Sequence, residues 1–129
     1  MNVPENLKYT KSHEWVRLEG DTAFVGITDY AQETLGDIVY IELPEVGAVV
    51  AADEELTTIE SVKAAEPIYS PLAGAIAQVN DELNDKPELI NQKPYDAYIF
   101  AVKPEDSSSV EKLMSAQEYE KLVEAEGHD

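Results

Sequence analysis

The sequence contains no cysteine. Disulfide staples are therefore excluded, as is any thiol chemistry supplied by the chain itself. With two histidines and no cysteine, a structural zinc site lacks a ligand set. Positive charge is also scarce. Nine Lys and Arg, of which only Arg17 is arginine, stand against 27 Asp and Glu, for a formal net charge of −18. Phosphate contacts need Lys and Arg, so nucleic-acid binding is excluded. The same charge favours steering toward basic surfaces on partners. No apolar run approaches the ~18 residues of a membrane-spanning helix. The start, Met1 to Lys8, lacks the basic and apolar regions of a secretory signal, so the expected location is cytoplasmic. Glycines occur singly, which rules out a phosphate-cradling loop.

Catalytic groupings are missing too. No Ser-His-Asp or Cys-His set is present. His13 adjoins Glu14, but neighbours on a strand point to opposite faces, so the two are not expected to meet one substrate. His128 falls in a terminal stretch, Glu124 to Asp129, expected to fray. The chain offers no active site of its own, and it is not expected to be an enzyme.

What is present fits a globular β protein. The 129 residues are 43% hydrophobic with seven tyrosines, consistent with one domain over residues 1–129. Residues 1–12 read as a polar lead-in. Glu14 to Leu18 and Thr22 to Val25 flank a Gly20-Asp21 turn and read as a hairpin. Thr28 to Gly36 reads as a short helix, capped by Thr28 or Asp29, with Gln32 at capping-box spacing from Asp29. Further strands are predicted at Asp37 to Leu43, Val49-Val50, Ala75 to Val79 and Tyr98 to Val102, the last stopped by Pro104. Asn80 to Asn91 holds one helical turn near Leu83. A C-terminal helical segment spans 107–126, with capping-box pairs Ser108/Glu111 and Ser115/Glu118. Two Pro-x-x-Gly turns, Pro44 to Gly47 and Pro71 to Gly74, each precede a small apolar strand, a loose internal repeat. Short strands broken by Gly and Pro predict a sandwich or flattened barrel.

One lysine stands apart. Between Arg17 and Lys86 the only basic residue is Lys63. It sits in Glu60-Ser61-Val62-Lys63-Ala64, between strand-like runs that together span about residues 56–71, at the predicted tip of a hairpin. A tip is the most exposed place on a sheet protein. A modifying enzyme would find this lysine unambiguous, and it would have to remove the ammonium proton before acylating the amine.

The chain resembles the glycine cleavage system H proteins, a lipoyl-carrier family. The stretches that carry the resemblance are K-Y-T-K-S-H-E-W-V from Lys8, V-G-I-T-D-Y-A-Q-E-T-L-G-D-I-V-Y-I-E-L-P-E-V-G from Val25, I-E-S-V-K-A-A from Ile59, P-I-Y-S-P-L-A-G from Pro67, P-E-L-I-N from Pro87, and Pro94-Tyr95. The lysine stretch alone would point only to the wider biotinyl/lipoyl group. The resemblance implies a mainly β fold, the lipoyl/biotinyl-type β-sandwich (barrel-sandwich hybrid), with short helices and a C-terminal helix. It implies lipoic acid in amide linkage to Lys63, within an attachment turn of Glu60, Ser61, Val62 and Ala64. Acylation would take the net charge from −18 to −19, since one cation is lost. Glu60 would help the lipoate-attaching enzyme recognise the turn.

The implied function is a shuttle. The arm takes an aminomethyl group from a pyridoxal-phosphate glycine decarboxylase to a tetrahydrofolate-dependent aminomethyltransferase. A dihydrolipoyl dehydrogenase then reoxidises it. The loaded arm would fold into a surface cleft near Ser12 and Glu14. A cysteine-free carrier also avoids thiol exchange with its own dithiol. Departures from the family pattern are Tyr30 and Thr34, where many relatives carry His, and Tyr95-Asp96-Ala97-Tyr98, where relatives usually read Y-x-x-G-W. A relay donating lipoate to 2-oxoacid dehydrogenases has the same sequence features. A biotin carrier is disfavoured by Val62 and Ala64, where biotin sites usually carry Met.

Overall fold

The computed structural model describes residues 2–126. At the Gly20-Asp21 turn, β2 (Glu14–Glu19) folds back on β3 (Thr22–Ile27), in register from Glu14 opposite Ile27 to Glu19 opposite Thr22. Two antiparallel sheets result. One runs β1 (Lys8–Tyr9), β2, β3, β9 (Phe100–Pro104), β8 (Gly74–Val79), β5 (Val49–Val50). The other runs β4 (Ile38–Ile41), β6 (Glu55–Ser61), β7 (Ala65–Tyr69). This is the two-layer sandwich that the spacing predicts. The strands after the two Pro-x-x-Gly turns, β5 and β8, pair with each other, Val49 opposite Ala75 and Val50 opposite Gly74.

Val25, Ile59, Ile68, Ile76, Phe100 and Val102 interleave between the layers in one continuous core. Full burial of each such side chain stabilises the fold by roughly 1.5–3 kcal/mol before entropy is counted. The sheets and the short helices that cover them bring the ends of β2, β6 and β7 together, which is where the site lies.

Helix α1 (Asp29–Leu35) is capped by Thr28, whose Oγ1 accepts from the Ala31 amide at 3.2 Å. Gln32 instead donates to the Asp29 carboxylate at 2.8 Å. Sequence spacing predicts one helical turn in 80–91, but two form, α2 (Glu82–Asp85) and α3 (Leu89–Gln92). Pro87 separates them, and α3 buries Ile90. The lead-in expected at residues 1–12 is not merely polar. Tyr9 is fully buried and Leu7 nearly so, and β1 pairs with β2, although a two-residue strand leaves no periodicity to read. The last strand begins at Phe100 rather than Tyr98 and carries Pro104 as its final residue, opposite Gly74.

The C-terminal segment comprises a 3-10 helix (Ser107–Lys112) and α4 (Ala116–Glu126). Asp106, not Ser108, caps the first, its carboxylate accepting from the Ser108 amide at 3.0 Å. The Ser115/Glu118 capping box forms in both directions, at 3.2 and 2.9 Å. Tyr119 stacks on Tyr9 with ring centroids 4.7 Å apart, and with Leu7, Trp15 and Val123 it forms a second buried cluster. Glu124 to Glu126 are helical where fraying was expected. The rest of that stretch, with His128, lies outside the described residues. Among the described residues, no helix is long and apolar enough to cross a membrane.

Candidate functional site: a lysine hairpin beside an acidic cleft

Strands β6 and β7 close at Glu60 opposite Ala65, leaving Lys63 at the tip of the hairpin. Ser61 builds the turn. Its amide donates to the Ala64 carbonyl at 2.8 Å, and its hydroxyl oxygen accepts from the amides of Lys63 and Ala64 at 3.3 and 3.1 Å. This serine turn does what an Asn-Gly pair does in other hairpins. The Val62 amide donates to the Asp37 carbonyl at 2.9 Å, which ties the tip to the chain leaving α1.

Gly36 makes that exit possible. Its φ of +81° and ψ of −158° fall in a region open essentially to glycine alone. A Cβ there would lie 3.4 Å from Cε of Lys63, so the lysine stem passes over bare backbone. Asn91 of α3 braces the turn from below. Its side chain donates to the Gly36 carbonyl and to Gln32 Oε1, and accepts from the Ile38 amide, all within 3.0 Å. Lys63 itself is exposed and forms no ion pair among the described residues.

Beside the tip lies a cleft of about 360 Å³. Ala64 stands at its hairpin end. Tyr30 and Thr34 of α1 form one wall, Glu66 and Tyr69 of β7 another, and Ile27, Leu35 and Ile59 an apolar floor. Ser12, His13 and Glu14 line it where β2 begins. Glu60, Ser61 and Val62 belong to the hairpin but not to this lining.

Glu14 is 1% exposed. Its Oε1 accepts from the hydroxyls of Thr10 and Ser12, each at 2.6 Å, and Oε2 accepts from the Tyr69 amide at 3.3 Å. No cation pairs with it among the described residues. Burial pushes its carboxyl above the ordinary range, and Asp53 adds to the rise. The three hydrogen bonds pull the other way without cancelling it. The site thus holds a buried carboxyl group with three hydrogen-bond donors and no cationic partner among the described residues.

Strand alternation predicts opposite faces for His13 and Glu14; the structure puts both on the cleft. His13 precedes the strand and has a φ of +69°, so strand alternation does not reach it. His13 Nδ1 lies 2.7 Å from the Tyr119 hydroxyl and Nε2 lies 3.0 Å from Glu126 Oε1. Glu126 also lines the cleft. No local signal marks this grouping, because the partners lie 106 and 113 residues away.

Comparisons with known proteins give the family. The family model described as "Glycine cleavage H-protein" matches residues 7–126. The chain belongs to the glycine cleavage H-protein family. A glycine cleavage system H protein from Geobacillus kaustophilus is 52% identical over 124 residues, covering 95% of this chain and 98% of that one. One from Thermus thermophilus is 51% identical, covering 98% and 99%. The crystal structure of a glycine cleavage system H protein from Mycobacterium marinum superposes with a TM-score of 0.86 at 36% identity, over 95% of this chain and 99% of that one. The sandwich is therefore the lipoyl-type β-sandwich of H proteins. The departures from the family's usual residues have local homes. Tyr30 tilts against the His13 ring at 5.0 Å, and Tyr98 packs edge-on against Phe24. The Tyr95 hydroxyl accepts from the Asp29 amide, and burial pushes that phenol up to about 12.

Proposed function

We propose that the protein is the lipoyl-bearing shuttle of glycine cleavage, with the cofactor in amide linkage to Lys63. In that role it is a substrate of its partner enzymes rather than a catalyst. The observation that carries the reading is the adjacency of one free, exposed lysine at a braced tip to a cleft with an apolar floor and a buried carboxylate. An acyl arm with a cationic end group matches that order of surfaces. When attached, lipoate supplies the dithiol that carries the aminomethyl group between the glycine decarboxylase and the aminomethyltransferase, and that the dihydrolipoyl dehydrogenase reoxidises.

The chain's own part is positional. Ser61, Gly36 and Asn91 fix the pivot while the side chain of Lys63 stays free to move. The apolar floor excludes water from whatever lies on it. Glu14 stabilises a protonated amine, and a cation beside it would bring its raised pKa down again. Ser12 holds the Glu14 oxygen in place. Glu60, exposed on β6 beside the tip, offers a charge for the attaching enzyme to read.

Substitution of Lys63→Arg tests the reading. The circular dichroism spectrum and melting point should be unchanged, since Lys63 is exposed and forms no ion pair among the described residues. Lipoate incorporation and glycine-dependent turnover in a reconstituted system should both be lost. Turnover retained by the variant would overturn the proposal.

A further inference from the structure

Four polar side chains run in a line from the base of α1 to the rim of the cleft. Thr28 Oγ1 lies 2.7 Å from the Tyr119 hydroxyl, which lies 2.7 Å from His13 Nδ1, and His13 Nε2 lies 3.0 Å from Glu126 Oε1. Thr28 and Tyr119 are fully buried, while His13 and Glu126 face the cleft. The Glu126 carboxylate sets the direction of the line. It can only accept, so neutral His13 carries its hydrogen on Nε2, and Nδ1 accepts from the Tyr119 hydroxyl. The Thr28 hydroxyl then donates to the Tyr119 oxygen while its own oxygen accepts from the Ala31 amide. Every hydrogen has an acceptor. A proton added at Nδ1 turns Tyr119 to donate to Thr28 Oγ1 and displaces the Thr28 hydrogen.

The charges around this line matter for what enters the cleft. Among the described residues, the titratable groups that contact His13 or line the cleft with it are Tyr119 and Glu126 from α4, Tyr30 from α1, Glu66 and Tyr69 from β7 and Glu14 from β2. Three are carboxylic acids and none is a lysine or arginine. Neutral His13 leaves the Glu126 charge available to the cleft, whereas an imidazolium cancels it. We infer that His13 and Glu126 form the outer, proton-responsive wall of the cleft, so that a cationic group on the arm and a proton on His13 oppose each other. The inference rests on the shuttle reading for the identity of the cationic group. It makes His13 a positioning residue and Glu126 a second recognition carboxylate, supplied by the C-terminal helix. By linkage the opposition is reciprocal: protonation of His13 loosens a bound ammonium as much as the ammonium disfavours the proton.

Nitrogen-15 spectra of the two histidine side chains test this, with His128→Asn assigning the signals. In the unmodified chain, His13 above its titration midpoint should show the Nε2–H tautomer. Glu126→Gln, whose amide can donate as well as accept, should weaken that tautomer preference. In the lipoylated protein, passing from the dihydrolipoyl to the aminomethyl-loaded form should lower the His13 midpoint by roughly half a pH unit, about threefold in proton affinity. A dominant Nδ1–H tautomer, a tautomer ratio indifferent to Glu126→Gln, or a midpoint indifferent to loading would overturn the inference. The first two measurements need no lipoate, so failure of Lys63 to be lipoylated would sink the shuttle reading and leave them standing.

Discussion

Substitution of Gly26→Ala should be among the most damaging single-methyl changes in this protein. Gly26 lies on β3 opposite Trp15, whose indole crosses over it. An added Cβ would sit 2.6 Å from two ring carbons and 2.7 Å from the ring nitrogen. Ordinary contact begins at 3.4 Å, so the ring must retreat by 3.4 − 2.6, or 0.8 Å. It has nowhere to go. Trp15 is fully buried, its Nε1 donates to the Pro94 carbonyl at 2.8 Å, and Arg17 lies over its face. Overpacking of this kind costs about 1–3 kcal/mol, and a lost hydrogen bond adds about 1 kcal/mol. The sum is about 3 kcal/mol. Unfolding entropy of ~2.1 cal/mol/K per residue over 129 residues gives about 0.27 kcal/mol/K, hence a fall in melting temperature of about 11 °C. The control is Gly20→Ala. Gly20 has a φ of +62°, but a Cβ there meets nothing within 4 Å. It should cost only the left-handed backbone term, about 1 kcal/mol or ~4 °C. Calorimetry on both variants decides the matter. If Gly26→Ala melts no lower than Gly20→Ala, the Trp15–Gly26 packing is not as described.

Two further outcomes follow from the same contacts. The folded-state pKa of Glu14 is raised above the 4.5 of an unfolded carboxyl, so the native state holds its proton more tightly. Its contribution to stability is fully present below pH 4.5 and is lost as pH rises through the folded value. Glu14→Gln should lack that loss, so urea titrations at pH 4 and pH 7.5 should show the variant gaining on the parent at the higher pH; the opposite trend would refute the assignment. Thr28→Val removes the cap of α1 and the hydroxyl that meets Tyr119. A cost of about 1–3 kcal/mol is expected, read as a shift of the chemical-denaturation midpoint.

Legibility in the sequence tracked the distance between interacting residues. The hairpin around Lys63 was readable because strand, break and strand lie within some fifteen residues, about the span of one supersecondary unit. Helix α1 was readable because Thr28 and Gly36 are local signals. What escaped depended on contacts far apart in the chain. Tyr9 looks like part of a polar lead-in until α4 stacks Tyr119 on it. Helix α3 hides behind Pro87, yet its Asn91 braces the lysine tip. Glu14 stands out only through the family resemblance, and nothing near it in sequence announces its complete burial. The line from Thr28 through Tyr119 and His13 to Glu126 is invisible in one dimension, and the left-handed backbone at His13 defeats the alternation rule that separated it from Glu14.

The central claim is that Lys63 carries a lipoyl group. Intact mass spectrometry of the natively expressed protein, followed by mapping of the modified peptide, tests it most directly. The expected result is a single lipoyl adduct on the peptide containing Lys63. Unmodified protein from cells able to lipoylate, an adduct on another lysine, or an avidin-reactive biotin adduct would contradict it.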